Sequence, residues 1–182
     1  MRITLVIGRL VLTAVSLTSA APSTAAADPT VARLAGLNGD AFDVAFMQAL
    51  IPADDETVEM AMTATLYADH SELLHWNQTL VERNNEHIRK MLTWLQQAGA
   101  GPAERRAGVA TASVKKLRSL RGAALERAYI PLMASQLDKT VALARLAAEK
   151  GRRPELREFA KDVARVEGQD SAMLRGWMKQ WY

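Results

Sequence analysis

The stretch from Leu34 to Leu95 can be laid, without a gap, over the stretch that lies 83 residues further along the chain. Leu34, Leu37 and Gly39 then fall on Leu117, Leu120 and Gly122. Thr57-Val58 falls on Thr140-Val141, Ala61 on Ala144, Glu72-Leu73 on Glu155-Leu156, and Trp94 on Trp177. The breaks coincide too, because Asp69-His70 falls beside Gly151 and Pro154, on Arg152-Arg153. A period this long, with a helix–turn–helix pattern in each copy, confines the fold to arrangements in which two equal hairpins hide their apolar faces in each other.

Helix is the element that the pattern predicts throughout. No stretch alternates apolar and polar residues long enough for a strand, and Ala, Leu, Glu and Arg dominate. Phe42, Phe46, Leu50, Thr57, Met60, Ala61, Ala64 and Ala68 recur at three-to-four spacing from Asp40 to Ala68. Pro52 followed by Asp54, Asp55 and Glu56 reads as a helix start, since proline and acids both suit a first turn. The region is therefore either one kinked helix or a short helix followed by a longer one. Ser71-Glu72 opens a second helix that runs to about Gln97, where Gly99-Ala100-Gly101-Pro102 ends it. The expected fold is all-α: a four-helix bundle built from two repeated helical hairpins. The hairpins span 34–97 and 117–182 of a single domain, 28–182. A linker, 98–116, joins them, and Val114, Leu117 and Leu120 suggest that its end runs into the third helix.

The first 27 residues read as an address. Met1-Arg2, an apolar run to Leu17 interrupted by Gly8-Arg9, and Ala25-Ala26-Ala27 are the three parts of a cleavable secretory signal. The apolar run is too short for the roughly 20 residues of a spanning helix. Cleavage after Ala27 removes two arginines and brings the formal charge of +3 close to neutral. The basic balance then gives no reason to expect a nucleic-acid partner. The basic cluster Arg105, Arg106, Lys115, Lys116, Arg118, Arg121 and Arg127 reads as a solvated linker or helix face. The chain has no cysteine, which excludes disulfides, thiolate metal sites and thiol nucleophiles. These features predict a secreted or periplasmic protein, not inserted in the membrane once the signal is removed.

The run Leu37 to Pro52, with Gly39, Phe42, Asp43, Phe46, Leu50, Ile51 and Pro52, resembles the opening of the DUF305 family, L-x-G-x-x-F-D-x-x-F-l-x-x-M-I-P-H-H. Glu59-Met60-Ala61 stands where that family has E-M-A. Asn84 to Leu95 is similar to its closing Q-x-x-E-I-x-x-M-x-x-W-L, through Ile88, Met91, Trp94 and Leu95. Leu120, Gly122, Leu125, Glu126, Tyr129, Met133 and Trp177 match more loosely in the second copy. The resemblance implies a ferritin-like bundle, often exported, with members that bind copper or silver through histidine and methionine. The family's paired histidines fall on Ala53 and Asp54 in the first copy and on Gln136 and Leu137 in the second, so the implied metal site is degenerate here.

Folding the first hairpin near Asp69 sets Asp54 level with Asn84, with His87 almost one turn beyond. Folding the second near Gly151 sets Gln136 level with Glu167 and Asp170. Each hairpin thus carries a polar layer where the family keeps its histidines. The layer reads as a satisfied polar network that fixes register, as a mixed copper site of Asp54, Met60, His87 and Met91, or as a carboxylate metal centre drawing on Asp54, Glu167, Asp170 and Glu86. Glu72-x-x-His75 is the sole Glu-x-x-His pair where a di-iron bundle needs two. The functional expectation is an exported, non-catalytic bundle with at most weak metal binding, or a module for an unknown protein partner. The alternative is a ferritin-like carboxylate metalloenzyme. Trp181-Tyr182 is expected to be exposed and open to a partner.

Overall fold

Six helices and no strand make up the described residues, 28–182, of the computed structural model. They are α1 (Pro29–Ala35), α2 (Gly39–Tyr67), α3 (Ser71–Gln97), α4 (Ala112–Arg118), α5 (Gly122–Lys150) and α6 (Pro154–Trp181). The secretory signal expected over residues 1–27 lies outside the described residues. Helices α2 and α3 form one antiparallel hairpin and α5 and α6 the other, and α2 packs along α5 to close a four-helix bundle. The outer helices α3 and α6 meet chiefly through side chains, with Arg83 on Asp170 and His87 against Phe159. Each helix of the second half starts 83 residues after its counterpart in the first.

Local chemistry explains the boundaries. Asp28 caps α1 by accepting the Thr30 N–H at 2.8 Å, with Pro29 in the first turn. Thr111 caps α4 through the Val114 N–H. The chain enters α2 and α5 through Gly39 and Gly122, at φ +62° and +50°, a region that costs other residues about 1–2 kcal/mol. A Cβ on Gly39 meets open space, whereas one on Gly122 falls 2.6 Å from the exposed Asp69 carboxylate, which is free to swing aside. Gly39→Ala and Gly122→Ala are therefore expected to cost about 1–2 kcal/mol each, by urea denaturation. A far larger loss at Gly122 would show that Asp69 cannot move.

Two features settle or correct the sequence reading, for one reason. Of the two alternatives around Pro52 the single helix is found: α2 runs through Pro52, so Asp54, Asp55 and Glu56 lie in mid-helix and open no first turn. Asp55, nearly inaccessible, instead accepts Nε and Nη2 of Arg105 at 2.9 Å each and the Arg106 N–H at 2.7 Å. Glu56 takes the Thr111 hydroxyl and Glu59 the Gly108 N–H. The acids of α2 thus strap down the connection between the hairpins, and Arg105 is exposed yet paired with Asp55. The end of that connection is a helix of its own, α4, separated from α5 by Ser119 to Arg121. Helix α4 packs on α2 and α1 packs on α5, so each short helix crosses to the other hairpin. Leu34 and Leu117, one on each, are fully buried.

Crossing contacts also hold the turns. Asp43 of α2 accepts the Arg152 and Arg153 N–H groups at the turn before α6 (2.8 and 3.0 Å). Glu126 of α5, 83 residues on, accepts the Asp69 and His70 N–H groups at the turn before α3 (2.7 and 2.8 Å). Each hairpin therefore caps the other's bend with a buried carboxylate. Glu126 also receives the Tyr182 hydroxyl and faces His70 Nδ1, both at 2.5 Å. The Trp181 ring stacks on His70 with centroids 3.9 Å apart. Contrary to the expectation of a free aromatic end, Trp181 and Tyr182 are docked on the first turn, because Glu126 and His70 offer them a hydrogen bond and a flat face.

Candidate functional site

The interior divides into two apolar ends. At one, Phe42, Phe46, Ile88, Met91, Leu156 and Phe159 pack together. At the other, Met60, Leu73, Trp76, Leu125, Tyr129 and Leu174 do so. Between the two, every long helix contributes a buried polar residue: Asp54 and Thr57 from α2, Asn84 from α3, Thr140 from α5 and Glu167 from α6. Thr57 and Thr140 are counterparts at the 83-residue spacing, as are Asn84 and Glu167. Thr57 is satisfied by the Ala53 carbonyl at 3.0 Å.

Three members of the layer are not satisfied. Asp54, Asn84 and Glu167 are at most 1 % exposed. Neither carboxylate oxygen of Asp54 or Glu167, and neither polar atom of the Asn84 amide, has a hydrogen-bond partner. Burial drives the Asp54 carboxyl well above its usual range, and the nearby Glu167 charge adds to the rise. Burial likewise lifts Glu167 to about 8, with the Asp170 charge adding to the rise against the pull of Arg83 and of the nearby Thr140 hydroxyl. Arg83 does not neutralise the pair, because its Nη2 is held by Asp170 at 2.5 Å.

His87, one turn past Asn84, faces elsewhere. It lines an open cleft of about 370 Å³ between α3 and α6, with Arg83, Glu86, Lys90, Glu158, Phe159 and Asp162. Its ring stands edge-on to Phe159, centroids 4.9 Å apart, and its Nδ1 is buried without a partner. Burial first, then the Arg83 and Lys90 charges, push its pKa down to about 4, so the imidazole is neutral at physiological pH.

The residues named from the sequence are thus placed in four different settings. Asp54 and Glu167 share the buried layer, with Asn84. Gln136 sits at its edge, its amide 3.4 Å from the Ala53 carbonyl, and Asp170 is paired to Arg83. Met60 and Met91, at most 2 % exposed, lie in opposite apolar ends. His87 occupies the outer cleft and Glu86 is exposed. Among the described residues, no three of His, Cys, Asp or Glu come together as a metal would require. The donors present do not fit a multidentate copper site: one imidazole has no thioether beside it, and each thioether is enclosed in hydrocarbon. The carboxylate centre has two acids in the layer where four were expected. Sequence reasoning missed Arg83, whose spacing of one residue from Asn84 was the available signal.

Fold and site define an all-helical bundle of two hairpins with a polar waist. The family model described as Domain of unknown function (DUF305) matches residues 15–95, and that described as Domain of unknown function (DUF4142) matches residues 77–173. The second spans more than half of the chain, which therefore belongs to the DUF4142 family, with the DUF305 pattern over its first hairpin. The second family was not read from the motifs. Solved structures share the fold. CopM in its Cu(I)-bound form superposes with a TM-score of 0.69 at 23% identity, over 77% of this chain and 97% of that one. Apo CopM gives 0.67 at 23% identity, over 77% and 98%. A DUF305 protein of Streptomyces coelicolor, designated secreted, gives 0.66 at 19% identity, over 72% and 88%. No curated protein sequence matches the chain. None of the helices among the described residues is long and apolar enough to cross a membrane.

Proposed function

We propose that the protein is an exported, non-catalytic helical bundle of a copper-handling fold, in which the soft-metal site has shrunk to weak capture at one imidazole. The observation that carries the reading is the donor set. The positions of the family's paired histidines hold Ala53, Asp54, Gln136 and Leu137, and His87, which stands on none of them, is alone and half-buried at an open cleft, neutral at physiological pH. The similarity to CopM, whose structures carry Cu(I), Cu(II) and silver, supports the metal class. The N-terminal signal pattern supports export, and the secreted designation of the Streptomyces protein agrees with it. The matched helix bounds at 83-residue spacing support an origin by duplication of one hairpin, with divergence of the site afterwards.

Titration with Cu(I) and Ag(I) against a competing chelator tests the reading. The expected complex is one ion per chain with Kd weaker than about 10 μM. His87→Ala abolishes it, and Met60→Leu with Met91→Leu leaves it unchanged. A submicromolar complex that survives His87→Ala would sink the proposal. The rival carboxylate metalloenzyme requires bound iron or manganese with oxidase activity that disappears in Glu167→Ala. Its ligand count is what argues against it, since Asp170 is spent on Arg83 and Glu86 points to solvent.

A further inference from the structure

The waist of the bundle holds more unmatched polarity than a packed interior ordinarily tolerates. Buried polar atoms nearly always have partners, and each exception calls for a cause. Here six such atoms, on Asp54, Asn84 and Glu167, lie between two apolar ends without a partner at ordinary hydrogen-bond geometry, and only the Thr140 hydroxyl comes near the Glu167 carboxyl. They come from three different helices, α2, α3 and α6. Were they there only to bond to one another, their donors and acceptors would touch, and they do not. We propose that this waist is a binding site for one divalent cation, ligated by the carboxylates of Asp54 and Glu167 and the amide oxygen of Asn84.

Three properties of the site support this. The first is charge: burial holds both acids protonated in the metal-free chain, once ionised they carry −2, and Arg83, the cation that acts on both, is already engaged by Asp170. A divalent ion neutralises the pair. The second is chemistry: carboxylate and carboxamide oxygens suit the harder divalent ions, manganese and magnesium before copper. The third is spacing, since a central ion keeps its ligand oxygens apart instead of letting them hydrogen-bond. Asn84 matters beyond its own oxygen. It is fully buried and unpartnered on α3, opposite Asp54, where a purely structural position would carry an apolar residue such as the neighbouring Leu80 and Ile88. The site uses no atom of His87 and is independent of weak copper capture. Its role is to bind α2, α3 and α6 together at mid-height, where neither apolar end reaches.

The test is metal loading of the chain itself. Protein stripped with chelator and refolded in manganese(II) is passed over a desalting column and measured by elemental analysis and by electron paramagnetic resonance. Refolding in the ion removes any barrier to entry. One tightly held manganese per chain is expected, with a melting temperature about 5–10 °C above the stripped form at hundredfold excess over Kd. Asp54→Asn and Glu167→Gln, whose helical circular dichroism shows them folded, lose the ion and the shift. His87→Ala keeps both. If neither manganese, zinc, magnesium nor calcium is retained or raises the melting temperature, the waist is a pair of protonated acids and the proposal is wrong. Retention unchanged in Glu167→Gln overturns it equally.

Discussion

Glu126→Ala is expected to lower the unfolding free energy by about 3–5 kcal/mol and the melting temperature by about 10 °C. The carboxylate is fully buried and serves four groups at once: the Asp69 and His70 N–H, His70 Nδ1 and the Tyr182 hydroxyl. Alanine leaves two backbone donors without partners at the bend, each worth about 1–3 kcal/mol. It also frees the C-terminal Tyr182. Asp43→Ala, which strips the equivalent bend of two N–H partners but of no side-chain donors, is expected to cost about half as much. The pH dependence separates this account from simple cavity formation. Burial alone would raise the Glu126 carboxyl, but the hydrogen bonds from Tyr182, His70 and Asp69 outweigh it and hold the group below its ordinary value of 4.5. A carboxyl depressed in the folded state adds stability that is present above pH 4.5 and disappears as pH falls through the folded value. The difference between parent and variant, measured by urea denaturation, should therefore be largest at pH 7 and shrink below pH 4. A difference that stays constant would assign the loss to packing alone.

The helices were legible because their ends are local chemistry. Gly39, Ser71, Gly122 and Pro154 mark starts that any reader of propensities finds, and Gly99 to Pro102 marks a stop. Pro52 left two readings open, since a proline followed by three acids has the same spelling whether it opens a helix or lies inside one. What decides is Arg105, fifty residues on, whose pairing with Asp55 no local pattern contains. Glu126 is similar: its partners sit 56 or 57 positions away. The level argument put Asp54 and Asn84 at one height, because antiparallel helices count residues outward from the turn equally, and both are buried. It could not give azimuth. Three residues beyond Asn84, His87 is turned by about 60° and looks at Phe159 in the outer cleft. Met60 lies about 9 Å along α2 from Asp54 at 1.5 Å per residue, which carries it into the opposite apolar end from Met91. A candidate set chosen by residue type and level thus mixed the inside, the outside and both ends of one bundle.

Replacing the waist by hydrocarbon should stabilise the metal-free protein. In Asp54→Leu/Asn84→Leu/Glu167→Met, measured in chelator at pH 7, the unfolding free energy is expected to rise by about 1–4 kcal/mol, the range seen when buried ionic groups give way to apolar residues of similar size. The bundle itself shows that the level tolerates leucine. Leu137, which occupies on α5 the place that Asp54 occupies on α2, is fully buried in apolar contact. Removing six unpartnered polar atoms ends their desolvation cost, and the two apolar ends then join into one. Some of the gain is offset by overpacking where leucine and methionine add volume, typically 1–3 kcal/mol when the fit is poor. A triple variant no more stable than its parent, with native helix content, would mean that the waist is satisfied as it stands. A gain in stability has a direct functional meaning. A chain that keeps Asp54, Asn84 and Glu167 inside a bundle that folds better without them keeps them for something they hold.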